Sequence, residues 1–313
     1  MAEKIAYIFP GQGAQVVGMG KDFYDAEPAA KQFFDKANKI VGYDLAKICF
    51  EGPEDKLNST TISQPAIFVT SVAILEVLKV KGLIKPANVM AGLSLGEYTA
   101  LYAAGVISFE DGLKLVQKRG QAMQAAADAS KGSMVSVIGL EQPAVEKLCI
   151  EAAQGQLLNC ANFNCPGQIV ITGDVDACKR SLALAEKYGA MKAIELKVAG
   201  AFHSAMMAPA AEELKKALGQ SKIGNPGSIA VIANVDGEYY KTKEQISEGL
   251  VRQLTGAVLW QKCMERLLAD GVTKFYEIGP NKVLMGLMRR INRKVNVVNI
   301  SSVAGLNELS GGK

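Results

Sequence analysis

Ser94 is the first residue that could carry covalent chemistry, because it lies in the pattern Gly-x-Ser-x-Gly. The pattern GLSLG, residues 92–96, follows the strand-like run ANVMA and precedes EYTALYAA, which has a helical composition. A serine at a strand-to-helix corner occupies a strained backbone conformation, and flanking glycines let neighbouring chain approach it without Cβ clashes. The amide of Leu95 would then begin the helix and point toward a developing oxyanion. The context predicts a nucleophile at Ser94, with an ordinary turn as the alternative.

A serine nucleophile needs a base, and the 313 residues contain one histidine, His203. It stands in GAFHSAMM, a loop-like stretch before a helix. That position suits the C-terminal edge of a parallel sheet, where Ser94 would also lie. The order serine then histidine is that of α/β-hydrolases. No acid that would orient His203 is evident, and a structural or surface histidine is the alternative.

Arg119 is the third unusual residue. On a helix over residues 109–127 it shares one face with the apolar side chains of Leu115, Ala122 and Met123. An arginine among apolar neighbours either extends to water or meets an anion. If it points into a pocket, its planar guanidinium would suit a carboxylate in bidentate fashion.

Composition excludes several classes of function. Apolar residues make up 49% and charged residues 21% of the chain, which indicates a packed globular fold. The net charge of +4 is too small to predict nucleic-acid binding, but it suits acidic substrates or an acidic partner. We expect no membrane span and no signal peptide. The six cysteines form no C-x-x-C pair, which predicts reduced thiols of a cytosolic protein and no metal site.

The order of strand-like and helical segments predicts an α/β protein. Most of the chain alternates strands and helices, including a strand over residues 228–235, and therefore favours a mostly parallel sheet covered on both faces. Residues 132–196 instead follow the order β-α-β-β-α-β, which is the ferredoxin-like pattern. We expect a large catalytic domain at 1–128 and 198–313, with a ferredoxin-like subdomain at 129–197 inserted into it.

Six motifs follow one another in an order typical of one family. They are FPGQGAQ (9–15), GLSLGEYTAL (92–101), QKRGQAM (117–123), GAFHS (200–204), RQLTGAVLW (252–260) and EIGPNKVLMGL (277–287). With these motifs the chain resembles the malonyl-CoA:acyl carrier protein transacylases of fatty-acid synthesis, and also the acyltransferase domains of polyketide synthases. The resemblance runs from about residue 5 to residue 300.

The resemblance implies an α/β-hydrolase-like large domain and a ping-pong transfer of malonyl groups. It implies that Ser94 attacks the malonyl thioester while His203 takes its proton. The backbone amides of Gln12 and Leu95 would form the oxyanion hole, and Arg119 would bind the free malonyl carboxylate. A main-chain carbonyl at Gln253 would orient His203 in place of the usual acid.

Two further residues receive a role from the resemblance. Phe202 matches the malonyl-selective form of the motif before the histidine, and Asn162 belongs to a stretch that faces the site from the small subdomain. A β-turn asparagine is the alternative for Asn162. The chain departs from the family pattern at Leu93, where histidine is common, and at Ala205 and Ala257, where proline is common. These departures bear on loop geometry and leave His203 as the only candidate base.

The expected partners are malonyl-CoA and a transiently bound, acidic acyl carrier protein. The resemblance implies no cofactor, because malonyl-CoA is a substrate and the phosphopantetheine is carried by the partner. It also implies a cytoplasmic monomer that binds no nucleic acid and no membrane. The cations Arg289, Arg290, Arg293 and Lys294 are candidates for the carrier-docking surface, with a solvated helix face as the alternative.

Two other functions stay open from the residues. A serine hydrolase or thioesterase would pass the acyl group to water, and a non-catalytic scaffold would bind the carrier without chemistry. The pathway, fatty-acid or polyketide synthesis, is also left open.

Overall fold

The computed structural model of the protein describes residues 3–311. In this range the strands are β1 (Lys4–Phe9), β2 (Val89–Gly92), β3 (Gly132–Ile138), β4 (Leu158–Cys165), β5 (Gln168–Asp174), β6 (Lys192–Glu195), β7 (Ala230–Val231), β8 (Val272–Ile278) and β9 (Asn296–Ile300). The first helices are α1 (Lys21–Ala26), α2 (Pro28–Val41), α3 (Leu45–Glu51), α4 (Glu54–Asn58), α5 (Thr60–Val80), α6 (Gly96–Ala103) and α7 (Phe109–Asp128). They are followed by α8 (Gln142–Ala153), α9 (Val175–Ala185), α10 (Ala208–Gln220), α11 (Lys243–Thr255), α12 (Trp260–Ala269), α13 (Val283–Ile291) and α14 (Val303–Gly311), with a short 3₁₀ helix at Ala205–Met207.

The larger sheet has the strand order β7-β2-β1-β8-β9, and each neighbouring pair is parallel. Its central strand, β1, is buried on both faces. Ile5, Tyr7 and Phe9 pack into one hydrophobic core, whereas Ala6 and Ile8 pack into a second core on the other face. This alternation is what a parallel sheet covered on both sides requires, and the predicted mostly parallel sheet is confirmed.

Helix α5 is the most apolar element and lies inside the first core. By length and composition it could cross a membrane, which differs from the expectation drawn from the sequence. However, 83% of its most apolar window is buried within the protein. Its apolar surface is therefore covered by neighbouring elements such as α2, α6 and α7.

The smaller sheet has the order β4-β5-β3-β6, and its neighbouring strands are antiparallel. The predicted order β-α-β-β-α-β over residues 132–196 is confirmed by β3, α8, β4, β5, α9 and β6. Val135, Val137 and Ile171 point from this sheet into a core shared with α8 and α9. Met134 and Val170 alternate with them and belong instead to the first core of the larger unit.

The predicted strand over residues 228–235 is wrong in extent. Only Ala230 and Val231 pair with β2, and the Ile232 amide makes one more bond, to Met90. The sequence did not predict α1, α3, α4 or β9, and the tail from residue 304, which was expected to be frayed, forms α14 up to Gly311. The outer bounds 1 and 313 of the expected catalytic domain lie outside the described residues.

Candidate active site

Ser94 occupies a tight corner between β2 and α6. Its backbone φ is 50°, a left-handed conformation that is strained for a residue with a side chain. A Cβ atom at Gly92 would overlap the backbone of Gly96, and one at Gly96 would overlap the carbonyl of Phe9. Glycine is thus required at both flanking positions, because three backbone segments meet there.

His203 contacts Ser94 directly. The Nε2 atom of His203 lies 2.9 Å from Ser94 Oγ, and its Nδ1 atom lies 2.7 Å from the main-chain oxygen of Gln253. A carbonyl oxygen can only accept, so Nδ1 carries the proton and Nε2 is free to accept from the serine hydroxyl. Burial, followed by the charge of Arg119, lowers the pKa of His203 to about 4, against the opposing effect of the Gln253 carbonyl. His203 is therefore neutral at pH 7 and able to act as a base.

Arg119 is 1% exposed and binds only neutral acceptors. One terminal nitrogen donates to Gln64 Oε1 at 2.8 Å, and the other donates to Ser94 Oγ and Gln253 Oε1, both at 2.9 Å. Its Nε has no hydrogen-bond partner, and its guanidinium carbon lies 5.6 Å from the centre of the Tyr98 ring. Within residues 3–311 no carboxylate forms an ion pair with it. A buried cation beside the serine is thus available to an incoming anion.

The backbone amides of Gln12 and Leu95, beside Ser94, have no acceptor among the described residues. The loop that carries Gln12 lies against the corner, because a Cβ atom at Gly11 would overlap the carbonyl of Leu93 and lie 3.7 Å from the Leu95 nitrogen. Unpaired amides on two adjoining segments are the donors that an oxyanion hole needs.

Ser94 opens into a cavity of about 480 Å³ between the two sheets. The larger unit supplies Gln12, Arg119, Phe202 and His203 to its walls, and the small sheet supplies Met134, Ser136, Asn162, Asn164, Gln168 and Val170. Leu95 and Gln253 do not line the cavity, but Leu95 adjoins Ser94 in the chain and Gln253 bonds to His203. The other residues that the sequence singled out at the site all lie in the cavity wall. The sequence analysis did not single out Asn164, which also lines the cavity. Its side-chain Oδ1 is buried and has no hydrogen-bond partner.

Sequence reasoning also missed Asn234, whose side chain bonds to the backbone on both sides of the Ser94 corner. Its Oδ1 accepts from the Ser94 amide at 2.6 Å, and its Nδ2 donates to the Gly92 carbonyl at 2.8 Å. Gln64 and the Gln253 side chain were missed in the same way. Polar residues within otherwise apolar runs, such as SIAVIANV (228–235) and SQPAIFV (63–69), were the available signal.

The four basic residues near the end of α13 differ in their contacts. Arg290 binds the turn between β4 and β5, with its guanidinium 3.2 Å from Gln168 Oε1 and from the Pro166 carbonyl. Arg289, Arg293 and Lys294 are exposed, and their side chains form no ion pair or hydrogen bond in the part of the chain that the structure describes. Arg290 thus links α13 to the small sheet, and the other three leave their charges free.

The described residues contain no cluster of three or more histidine, cysteine or acidic side chains that could hold a metal ion. All six cysteines are free thiols. The chemistry available at the cavity is therefore that of a serine, a neutral histidine and a buried arginine.

The acyl transferase domain family matches residues 6–308 of the chain. The malonyl CoA-acyl carrier protein transacylase of Bacillus subtilis is 42% identical over 95% of this chain and 93% of its own length. An acyl carrier protein S-malonyltransferase structure from Vibrio cholerae superposes with a TM-score of 0.93 at 44% identity, covering 98% of this chain and all of that one. A type II PKS malonyl-transacylase, solved with its acyl-carrier protein, superposes with a TM-score of 0.95 at 40% identity, covering 99% of this chain and all of that one. The chain belongs to the malonyl CoA-acyl carrier protein transacylase family of acyl transferase domains.

Proposed function

We propose that the protein transfers the malonyl group of malonyl-CoA to the pantetheine thiol of an acyl carrier protein, through a malonyl ester on Ser94. Family membership makes it an acyltransferase. The observation that carries the proposal is that Ser94 Oγ contacts both a neutral base, His203, and an unpaired buried cation, Arg119. A general ester hydrolase needs the first contact but not the second.

In the first half-reaction Ser94 Oγ attacks the thioester carbonyl carbon and His203 Nε2 takes the hydroxyl proton. The amides of Gln12 and Leu95 donate to the carbonyl oxygen and stabilise its negative charge. One such donor typically lowers the barrier by about 3 kcal/mol. The carbon–sulfur bond then breaks, and the departing CoA sulfur takes the proton from His203. The Gln253 carbonyl holds the ring through Nδ1 during both transfers.

In the second half-reaction the pantetheine thiol gives its proton to His203 and its sulfur attacks the ester carbonyl. The carbon–oxygen bond to Ser94 breaks, and Ser94 Oγ takes the proton back. These two halves form a ping-pong cycle that supplies malonyl carrier for chain elongation. No step calls for a cofactor, because the phosphopantetheine belongs to the carrier.

Arg119 binds the free carboxylate of the malonyl group, which explains why the guanidinium points to Ser94 without an anion of its own. Phe202, next to His203 in the cavity wall, limits the space for a branched acyl group. Asn162 faces the acyl chain from the small sheet. These roles follow from position in the cavity and agree with the resemblance.

We further infer an α/β-hydrolase-like catalytic domain, residues 1–128 and 198–313, with a ferredoxin-like subdomain at 129–197. The parallel sheet and the serine corner after β2 support the first assignment. The strand order β4-β5-β3-β6 with antiparallel neighbours supports the second. We propose that the protein acts as a cytoplasmic monomer.

The test is intact-protein mass spectrometry after brief mixing with malonyl-CoA. The wild-type protein is expected to gain one malonyl group, and Ser94→Ala is expected to gain none. A malonyl adduct on Ser94→Ala would exclude Ser94 as the nucleophile. A non-catalytic scaffold would form no adduct in the first step. If the adduct forms, carrier or buffer is added: a transacylase passes the malonyl group to the carrier, whereas a thioesterase releases free malonate.

A further inference from the structure

Glu97 is a buried carboxylate that the proposed mechanism does not use. It lies on α6, three residues after Ser94, and is completely inaccessible to solvent. One carboxylate oxygen accepts from the Tyr240 hydroxyl at 2.5 Å. The other oxygen accepts from the backbone amide of Asn234 at 3.1 Å and from Gln253 Nε2 at 2.8 Å. Each of these donors is neutral, so no cation touches Glu97 directly.

The carboxamide of Gln253 stands between Glu97 and Arg119. Its Nε2 donates to Glu97, and its Oε1 accepts from the guanidinium of Arg119 at 2.9 Å. The reversed orientation would set the amide hydrogens against the guanidinium and the oxygen against the carboxylate. The two buried charges therefore fix the orientation of the amide, and the amide keeps them apart.

Each of the two charges needs the other. A buried cation or anion is costly unless an opposite charge lies near it. Burial lowers the pKa of Arg119, and Tyr98 and Glu97 oppose this effect. Burial raises the pKa of the Glu97 carboxyl to about 7, against the opposing effects of its three hydrogen bonds and of Arg119.

We propose that Glu97 is the counter-charge of Arg119 in the empty site, and that the Gln253 amide between them leaves the guanidinium free to bind the substrate carboxylate. Glu97 is then a positioning residue that sets how strongly the site prefers a carboxylate-bearing acyl group. The inference rests on the proposed function of Arg119.

The spacer matters because a direct ion pair would occupy the guanidinium. A carboxylate bonded to Arg119 in bidentate fashion would compete with the malonyl carboxylate for the same donors. Held one amide away, Glu97 balances part of the charge and leaves the donors on the Ser94 side accessible. Removing the negative charge should therefore strengthen the attraction of Arg119 for the malonyl group and leave the acetyl group unaffected.

The test is Glu97→Gln, compared with wild type in the rate of adduct formation from malonyl-CoA and from acetyl-CoA. The new amide can keep every contact, because the Tyr240 hydroxyl can reverse and accept from it. We expect the malonyl-to-acetyl rate ratio to rise roughly five-fold, the size of coupling found within hydrogen-bond networks. An unchanged or lower ratio would overturn the inference, whereas the absence of a malonyl adduct in wild type would overturn the proposed function instead.

Two controls separate charge from packing. Tyr240→Phe removes one of the hydrogen bonds that lower the pKa of Glu97. It is expected to leave the ratio unchanged at high pH, where the carboxyl is still ionised, and to move the rise in the ratio to higher pH. In an Arg119→Ala background, Glu97→Gln is expected to have no effect on the ratio. A ratio in Tyr240→Phe at high pH as large as that in Glu97→Gln, or a shift that persists without Arg119, would assign the effect to packing and overturn the inference.

The wild-type protein provides a second test that needs no substitution. Protonating Glu97 has the same effect on charge as Glu97→Gln, so the malonyl-to-acetyl ratio is expected to rise as the pH falls from 8 to 6. The malonyl carboxylate stays ionised in that range, and the CoA part is common to both substrates, so its titration cancels. A ratio that does not change with pH would contradict the inference.

No other ionisable group near Glu97 accounts for a change in the malonyl-to-acetyl ratio near pH 7. The ionisable groups around Glu97 and its partners are Arg119 on α7, Tyr98 on α6, Tyr240 before α11, Cys263 on α12, His203, and the partly exposed Asp236, which acts on Tyr240 and Cys263. Burial raises the pKa of Tyr98, Tyr240 and Cys263 further above neutrality and lowers that of His203 to about 4. Asp236 is present in both Glu97→Gln and wild type, and a pH dependence that survives in Glu97→Gln would exclude Glu97 as its source.

Discussion

In the proposed mechanism His203 accepts a proton in a buried position that disfavours its charged form. Burial and the neighbouring Arg119 lower its pKa to about 4, so the ring stays neutral and competent as a base well below neutral pH. The imidazolium formed during attack is correspondingly acidic and passes its proton readily to the leaving sulfur. The same environment that keeps the base ready also makes it a good proton donor in the next step.

The acid limb of the pH profile should therefore lie far below that of an ordinary histidine. Adduct formation from acetyl-CoA is expected to be constant from pH 8 to about 5 and to fall with a midpoint near 4, because only the neutral ring can take the serine proton. Acetyl-CoA is the right substrate, since it does not depend on Arg119. Single-turnover rates measured across this range would contradict the assignment if their midpoint fell near 6.5, the value of an exposed histidine.

Arg119 should control the choice of acyl group more than the general rate. In Arg119→Ala the malonyl rate is expected to fall about 100-fold, since a charge-assisted pair contributes about 1.5–3 kcal/mol, while the acetyl rate changes by no more than about three-fold. Arg119→Lys keeps the charge but cannot reach Gln64 and Gln253 at once, so it should recover only part of the malonyl rate. Measuring kcat/KM for malonyl-CoA and acetyl-CoA tests this role of Arg119. An equal fall in kcat/KM for the two substrates would argue against a carboxylate site.

At the level of residues, the sequence predicts the reacting groups but not their supports. Ser94 stands out by its Gly-x-Ser-x-Gly pattern, His203 as the one histidine of the sequence, and Arg119 as a charged residue on an apolar helix face. Asn234 and Glu97 do not, because their roles depend on contacts with segments about 140 positions away. Glu97 even lies inside the GLSLGEY motif, yet only the fold places its carboxylate beside Gln253.

The corner at Ser94 is a property of three elements. β1, β2 and α6 approach so closely that a Cβ atom at Gly96 would overlap the main-chain oxygen of Phe9 in the central strand. Phe9 cannot move away without disturbing its parallel pairing with Gly92 in β2. The glycines of the motif are thus set by packing between elements, and the strain at Ser94 is held by that packing.

Gly96→Ala is therefore expected to destabilise the protein by about 3 kcal/mol, the upper range for added volume in a packed core. Gly219→Ala is the matched control, because Gly219 lies in α10 with no atom within 4 Å of the added Cβ. That change should instead stabilise the protein by about 0.5–1 kcal/mol through the lower helix propensity of glycine. Urea unfolding of the two variants measures the difference, and similar values for both would refute the packing argument.

The short strand β7 shows why element boundaries were harder to predict than element types. The run SIAVIANV reads as a strand of eight residues, but pairing with β2 ends near Ile232. The chain then turns away so that Asn234 can reach the Ser94 amide and the Gly92 carbonyl. The contacts of Asn234 at the Ser94 corner thus prevail over a local strand preference, which no periodicity in the sequence could indicate.

The site as a whole exists only because two sheets share one cavity. The order of elements predicts both sheets, since a parallel sheet and a β-α-β-β-α-β unit follow from local patterns. The cavity does not follow from them, because its walls combine Met134 and Val170 of the small sheet with Arg119 and His203 of the large unit. Arg290 of α13 adds hydrogen bonds between the large unit and the turn that joins β4 to β5.

Helix α13 links the cavity to a basic surface. Val283, at the start of the helix, and Leu287 line the cavity, and Arg289 lies near the C-terminal end with its charge free in the described structure. Seven residues of helix span about 10 Å, so a carrier bound at this end is close enough to reach the cavity with its prosthetic arm. An acidic carrier would be attracted to these free charges, and the attraction should weaken as salt increases.

Arg289→Glu is accordingly expected to slow malonyl transfer to the carrier roughly five-fold at low salt and to reduce its salt dependence, since charges at an interface rim act mainly on the association rate. Loading of Ser94 from saturating malonyl-CoA should not change. Lys216→Glu is the control: it alters the net charge equally, but lies on α10, which packs against α7 and α11. If both variants slow the carrier step to the same extent, net charge and not a docking site at the end of α13 governs the encounter.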